Sequence, residues 1–260
     1  MVMYAMGGSR SIACLLRAGI SYSQIFSEKK KHIETGLTGN YMRQRRPKNL
    51  EEKIIKHKSL LIDEPVAMKG KWRSAFNTST DTCTPKLYLE IGSGKGKFIN
   101  QLAIRHQEDL FVGFEGQDTV IIRALEKIRS NELSNIKMCR QYINDFDEFF
   151  GSDELDGIYL NFSDPWPKDR HAKRRLTSHR YLPGYATSIK SGGFIKMKTD
   201  NDDLFAYSLE QFGKNHDFDI VETSEDLHNS ELSKGNVMTE YEKKFSNFGK
   251  KINYVCVIRK

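Results

Sequence analysis

The sequence predicts an α/β fold with a mainly parallel sheet, helices on both faces of the sheet and one antiparallel edge. Three observations support this prediction. From residue 86 onward, short apolar runs alternate with segments of helical periodicity, which is typical of a parallel sheet covered by helices. A glycine-rich turn follows the first apolar run. No clear helical pattern separates the last two apolar runs, which indicates an antiparallel pair at one edge.

The elements follow from the spacing of apolar residues. Short apolar runs predict strands at residues 87–91, 110–114, 136–139, 157–162, 194–198, 218–222 and 252–259. Helical spacing predicts helices at residues 98–105, 119–131, 178–190 and 203–212. We expect Gly192 and Gly193 to close the third of these helices, and Asp200 or Asn201 to cap the fourth.

The N-terminal part of the chain lacks the alternation of strand and helix patterns that begins at residue 86. Its first segment lacks sustained periodicity and is expected to be mostly disordered; a loose tail, a misplaced start codon and a transit peptide all remain open. A basic arm follows, with a weak helix whose apolar stripe is Leu50, Ile54 and Ile55, and then a linker that contains Trp72. The extension, the arm with its linker, and the main domain are assigned to residues 1–40, 41–85 and 86–260.

Composition restricts the partners. The net charge of +7 suits a polyanion. Residues 29–58 contain ten lysines and arginines and three glutamates, so this segment alone accounts for the excess and the rest of the chain is close to balanced. The four cysteines form no C-x-x-C pair, which argues against a zinc site or a disulfide framework and favours a reducing compartment, the cytoplasm. No apolar run approaches the ~20 residues of a membrane span. We expect no membrane and no metal, and a monomer or a homodimer.

The turn after the first strand predicts the cofactor. Residues 88–98 read Y-L-E-I-G-S-G-K-G-K-F. A P-loop and a dinucleotide fingerprint both require a glycine where Lys97 stands, so neither fits. A G-x-G-x-G pattern after Glu90 favours S-adenosylmethionine, which has no phosphate for a helix N-terminus to bind. Glu115, at the end of the second strand, is placed to accept hydrogen bonds from ribose hydroxyls.

The stretch after the fourth strand predicts the site of chemistry. Residues 161–175 read N-F-S-D-P-W-P-K-D-R-H-A-K-R-R. The two prolines fix φ and remove N–H donors, so the loop is expected to be stiff. It holds the carboxylate of Asp164 and the indole of Trp166 beside a dense block of cations, which together suit a base and its phosphates. Trp166 either stacks on the base or wedges the loop.

With F-V-G-F-E, K-T-D-N and T-E-Y-E, these stretches resemble the bacterial tRNA (guanine-N7)-methyltransferase family from about residue 41 to residue 260. The resemblance implies a seven-stranded, Rossmann-like class I methyltransferase that uses S-adenosyl-L-methionine. It implies tRNA as the partner, with N7 of a guanine in the variable loop, position 46, methylated to 7-methylguanosine.

The resemblance also implies the roles of individual residues, with Asp164 as the active-site acid. The cofactor would be bound by Glu90, Gly92, Gly94, Glu115, Gln117, Tyr142, Ile143 and Asn161. The substrate guanine or a nearby nucleotide would be bound by Lys168, Asp200, Thr239, Glu240, Tyr241 and Glu242. The tRNA phosphates would be bound by Arg43, Arg45, Arg46, Arg170, Lys173, Arg174 and Arg175.

Two positions depart from the family pattern. Family members usually carry Asp or Asn where Tyr142 stands, so Asn144 or a backbone carbonyl is an alternative partner for the adenine amino group. Ser163 replaces a proline that mainly shapes the turn before the acid.

Two rival functions remain open at this point. Residues 163–166 partly match the [DNS]-P-P-[YFW] motif of amino-group methyltransferases, but Trp166 stands in place of the second proline. A non-catalytic RNA-binding protein on the same fold is the other rival. If the cationic block after Asp164 and the basic arm bind tRNA phosphates, tRNA binding should weaken sharply between low and physiological salt, because each neutralised phosphate steepens the salt dependence. Binding that does not respond to salt would contradict the assignment of both patches.

Overall fold

The computed structural model of the protein describes residues 49–76, 84–246 and 248–260. Within them lies one seven-stranded sheet with the strand order β3-β2-β1-β4-β5-β7-β6. The strands are β1 Leu87–Ile91, β2 Leu110–Phe114, β3 Ile136–Cys139, β4 Leu155–Asn161, β5 Ile189–Thr199, β6 Phe218–Ser224 and β7 Asn253–Arg259. Strands β1 to β5 pair in parallel, and β7 is antiparallel to both β5 and β6. The predicted fold class is confirmed.

Six α-helices are found in the described residues. They are α1 Leu50–Lys56, α2 Lys97–Arg105, α3 Asp118–Ser130, α4 Leu182–Ser188, α5 Asp202–Lys214 and α6 Glu240–Ser246. Asn201 caps α5, since its side chain accepts a hydrogen bond from the Leu204 N–H at 2.7 Å. No helix of the described residues has the length and apolar content that crossing a bilayer requires.

The helix predicted at residues 178–190 is shorter than expected. Strand β5 already begins at Ile189, which pairs with Leu155, and Gly192 and Gly193 lie inside the strand rather than after a helix. The register shifts before Gly157 pairs with Phe194, so the glycines lie in an irregular part of the ladder. Sheet pairing overrides the local helical spacing here.

The first part of the predicted linker, residues 71–76, packs into the core through Trp72 and Phe76. Trp72 is fully buried and stacks on Phe150, with ring centroids 5.3 Å apart. Its indole N–H donates to the Phe149 carbonyl at 2.7 Å, and its backbone N–H donates to Glu154 at 2.8 Å. Ile55, predicted to lie in the apolar stripe of α1, is 70% exposed instead.

The topology brings the predicted site residues to one edge of the sheet. The glycine turn follows β1, Glu115 follows β2, Asp164 follows β4 and Asp200 follows β5. Because these four strands are parallel, their carboxyl ends lie along the same edge, where ligands bind in open α/β sheets.

Candidate active site

The glycine turn forms an open ledge. Gly92 and Gly94 have φ angles of 77° and 56°, and a Cβ built on either would meet no atom within 4 Å. Such left-handed angles favour glycine, and the open space lets a ligand approach the backbone closely. Gly96 has another role, since a Cβ there would lie 2.6 Å from that of Ala124, so this glycine lets the turn pack on α3.

Glu90 lies beneath this ledge at the end of β1 and is 3% exposed. Its Oε1 accepts a hydrogen bond from the side chain of Asn161 at 2.9 Å, whereas Oε2 has no partner among the residues that the structure describes. Burial raises the pKa of Glu90 to about 7, against the opposing effects of Asn161 and Lys198. Buried polar atoms are normally hydrogen-bonded, so Oε2 of Glu90 has the capacity to accept a hydrogen bond from a ligand.

Glu115 ties the end of β2 to the ledge. Its two carboxylate oxygens accept hydrogen bonds from the backbone N–H groups of Gly94, at 2.9 Å, and Gln117, at 2.8 Å. Burial is the main reason why the pKa of Glu115 is raised, and the charge of Asp164 adds to the shift. A carboxylate offers about four acceptor positions, so Glu115 retains capacity for ribose hydroxyls.

Tyr142 borders the same region, after β3. Its ring lies against Gly116, where a Cβ would meet ring atom Cε2 at 2.2 Å, and the residue is 62% exposed. The neighbouring Ile143 is buried. The pKa of Tyr142 is raised first by burial and then by the charges of Glu115 and Asp164.

The Asp164 loop, residues 162–168, carries the predicted active-site acid. Asp164 is exposed and makes no hydrogen bond or ion pair with any other described residue. Two residues of this loop have left-handed φ angles, 52° at Phe162 and 43° at Trp166, which is uncommon for side chains other than glycine. The loop therefore holds a strained backbone shape, with the Asp164 carboxylate exposed.

The cationic turn, Asp169–Arg174, follows this loop as a 3₁₀ helix. Arg170, Lys173 and Arg174 are exposed, as phosphate contacts require. The Arg174 guanidinium lies 4.8 Å from the centroid of the Trp166 ring, so the indole packs under the cations. Trp166 thus serves at least as a wedge for the loop. The predicted phosphate residues Arg43, Arg45 and Arg46 lie outside the described residues.

Arg175 differs from its neighbours. It is buried, its Nε donates to the Pro165 carbonyl at 3.0 Å, and its Nη2 donates to the Trp166 carbonyl at 3.0 Å. A phosphate contact does not fit this geometry, because the guanidinium faces the inside of the loop. The prediction for Arg175 is corrected on this ground.

The predicted substrate residues come from three segments: Lys168 from the Asp164 loop, Asp200 from the end of β5, and residues 239–242 from the start of α6. Lys168 is exposed, and Asp200 accepts a hydrogen bond from the Tyr241 hydroxyl at 3.3 Å and pairs with Lys250. The Tyr241 ring lies between Phe162, at 4.9 Å, and Phe245, at 4.1 Å between centroids. Tyr241 therefore joins the Asp164 loop to Asp200.

Helix α6 was not predicted by the sequence analysis. Thr239 Oγ1 accepts a hydrogen bond from the Glu242 N–H at 2.9 Å, and the Glu242 side chain accepts one from the Thr239 N–H at 3.3 Å. This pair is a capping box, and the T-x-x-E spacing was its signal. Glu240, in the first turn of α6, pairs with Lys127.

Glu242 is fully buried and forms the centre of a polar network that the sequence did not reveal. Besides Thr239, it accepts hydrogen bonds from Lys198 Nζ at 2.6 Å and Asn236 at 2.6 Å, and it lies 2.8 Å from His228 Nε2. The Lys198 ammonium also donates to the Val237 carbonyl at 2.8 Å. Glu242 therefore joins Lys198 on β5 to the segment that precedes α6, and its direct contact with substrate stays a prediction.

The described residues contain one group with metal-ligand spacing, formed by His106, Glu108 and Asp109, whose ligand atoms lie within 4.8 Å of one another. These residues precede β2, at the sheet edge opposite the ledge. This group is therefore separate from the candidate active site.

Comparisons with known proteins identify the family of this chain. A family described as "Putative methyltransferase" matches residues 84–255. A protein of Lachnoclostridium phytofermentans named tRNA (guanine-N(7)-)-methyltransferase is 40% identical over 205 residues, covering 79% of this chain and 93% of the relative. One of the same name from Oceanobacillus iheyensis is 41% identical over 215 residues, covering 83% and 97%. The solved 16S rRNA methyltransferase KamB, at a TM-score of 0.50 and 10% identity over 67% of this chain and 88% of that one, is similar in fold.

Proposed function

This chain belongs to the tRNA (guanine-N(7)-)-methyltransferase family, and from that premise we propose that it transfers a methyl group from S-adenosylmethionine to N7 of a guanine in tRNA. The target is the guanine at position 46 of the variable loop, as the family resemblance implies. The observation that carries the proposal is the position of Asp164, a free carboxylate on the same sheet edge as the open glycine ledge.

The ledge fits S-adenosylmethionine. Gly92 and Gly94 leave room for the cofactor against the backbone, and the unsatisfied oxygen of Glu90 offers an acceptor below it. Glu115 would accept hydrogen bonds from the ribose hydroxyls, and Tyr142 with Ile143 would flank the adenine. Gln117 and Asn161 complete the site, Asn161 by holding Glu90 in place.

The chemistry requires alignment and charge stabilisation more than a base. When bound, S-adenosylmethionine supplies a methyl group on a sulfonium, and the positive charge passes to the purine as the methyl group moves to N7. The N7 atom already carries a free lone pair, so no proton has to be removed. Asp164 would orient the guanine edge and stabilise the charge that develops on the ring, an electrostatic role that suits a fixed carboxylate.

Affinity for S-adenosylmethionine is expected to rise with pH between about 6 and 8. The pKa of Glu90 is about 7 in the folded protein, so its carboxyl group ionises across this range and then attracts the cationic cofactor. Below the pKa, the logarithm of the affinity should rise by up to about one per pH unit. Calorimetric titration at several pH values measures this change.

The Glu90→Gln variant is the control, because it keeps the shape of the side chain and removes the titration. Its affinity should be flatter with pH than that of the wild type. If the variant shows the same pH dependence of cofactor binding as the wild type, Glu90 is not the titrating group.

The raised pKa of Glu90 affects folding stability in the opposite direction. The contribution of Glu90 to stability is fully present below about pH 4.5 and is lost as pH rises through about 7.

Incubation with labelled S-adenosylmethionine and bulk tRNA, followed by nucleoside mapping, tests the function. The proposal predicts label in 7-methylguanosine, at position 46 of the modified tRNAs. Label in methyladenosine or methylcytidine would instead favour an amino-group methyltransferase. Tight tRNA binding without binding of S-adenosylmethionine would favour a non-catalytic RNA-binding protein.

A further inference from the structure

We infer that Arg175 is a positioning residue that holds the Asp164 loop in its reactive shape. The inference rests on the proposed function, since it takes Asp164 as the active-site acid. It separates Arg175, which is buried, from Arg170, Lys173 and Arg174, which share its charge but are exposed.

Arg175 contacts one of the two strained residues of the loop, Trp166, and its neighbour Pro165. Its guanidinium donates to two successive carbonyls, those of Pro165 and Trp166, each at 3.0 Å. Trp166 is also the loop residue with a φ angle of 43°, a conformation that needs support from its surroundings. Both hydrogen bonds fall within two residues of Asp164, so they fix the backbone that carries the carboxylate.

The planar face of the guanidinium packs on α5. The Arg175 Cζ atom lies 4.3 Å from the centroid of the Tyr207 ring. Two residues further on, the Thr177 and Ser208 hydroxyls hydrogen-bond at 2.7 Å in the interior, which ties the same segment to the same helix. Asp200 lies two residues before α5. Arg175 therefore connects the loop that carries Asp164 to the helix that follows Asp200.

Only arginine provides this combination of contacts. Its planar fork can donate to two acceptors while its face stacks on an aromatic ring, whereas a lysine ammonium is a point charge on a flexible stem. An Arg175→Lys variant keeps the positive charge and loses the geometry. If Arg175 bound a phosphate, the variant would retain most of its function, because that contact needs the positive charge. If Arg175 positions the loop, the variant should lose function, because that role needs the planar guanidinium.

The test compares Arg175→Lys and Arg175→Met with Lys173→Met, which removes an exposed cation from the same block. With tRNA and cofactor saturating, Arg175→Lys should lower the rate of methyl transfer by roughly 100-fold, the order expected for a misplacement of about 1 Å. Neither Arg175 variant should change the salt dependence of tRNA binding. Lys173→Met should instead lower the slope of log affinity against log salt by roughly 0.7–0.9.

A second readout does not depend on activity. The chain has two tryptophans, and Trp72 is fully buried, so quenching of fluorescence by acrylamide reports mainly on Trp166. Quenching should increase in both Arg175 variants, and less in Tyr207→Leu, which removes the stacked ring but leaves the two hydrogen bonds. Lys173→Met should match the wild type in this measurement.

A lower salt slope in Arg175→Met, or unchanged quenching together with a wild-type transfer rate in Arg175→Lys, would overturn the inference. Wild-type protein that makes no 7-methylguanosine would overturn the proposed function instead. In that event the fluorescence comparison would still decide whether Arg175 supports the loop.

Discussion

Asp164→Asn is expected to lower the rate of methyl transfer by about 100-fold or more, while tRNA affinity stays close to that of the wild type. The substitution removes the charge that would stabilise the purine in the transition state, and losing one such electrostatic group typically costs about 3–4 kcal/mol of activation free energy. It disturbs little else, because Asp164 is exposed and makes no hydrogen bond or ion pair with the described residues. Single-turnover methylation with saturating tRNA measures the rate.

Asp169→Asn provides the matched control. Asp169 is another exposed acid, five residues along the same stretch, and its removal should leave the transfer rate unchanged. A near-normal rate for Asp164→Asn would remove Asp164 from the mechanism. A large loss of tRNA affinity would instead make it a residue of substrate binding.

Lys198→Met is expected to lower the free energy of unfolding by about 3–5 kcal/mol, the usual cost of breaking a buried ion pair from one side. The side chains of Lys198 and Glu242 are 5% and 0% exposed, so the variant leaves a carboxylate without its cation in the interior. The double variant Lys198→Met/Glu242→Gln should lose less, because it removes both charges and retains a side chain that can bind Asn236. Urea unfolding near pH 8 measures the free energy of unfolding of the wild type and of both variants.

Lys196→Met is the reference for this series. Lys196 lies two residues earlier on β5 and is half-buried, with its ammonium over the Phe194 ring at 4.7 Å. Its loss should cost about 1 kcal/mol or less, as expected for a cation–π contact that remains partly hydrated. If the double variant proves as unstable as Lys198→Met, the unpaired charge of Glu242 is not the cause of the loss.

The sequence predicted those parts of the site whose structure depends only on residues that are neighbours in the chain. The apolar runs of β1, β2 and β3 gave their bounds correctly, because each is short, continuous and closed by polar residues. The glycine turn was recognisable for the same reason, since its spacing is local. The Asp164 loop was also predicted as a stiff segment at a strand end, from its two prolines.

Other features depend on residues that are distant in the sequence. Lys198 and Glu242 are 44 positions apart, so no spacing indicated that they form the buried pair. Arg175 was indistinguishable from its cationic neighbours until the fold placed it under the carbonyls of Pro165 and Trp166. Trp72 was assigned to a linker because its partners, Phe149 and Glu154, lie about eighty residues further along the chain.

The most direct test of the account is a crystal structure of the protein with S-adenosylhomocysteine and a tRNA substrate. The account predicts the ribose hydroxyls of the cofactor at hydrogen-bond distance from Glu115, its homocysteine part over Gly92 and Gly94, and the Asp164 carboxylate facing the bound guanine. A cofactor seated away from the glycine ledge, or an Asp164 side chain directed out of the cavity shared with the guanine, would contradict it.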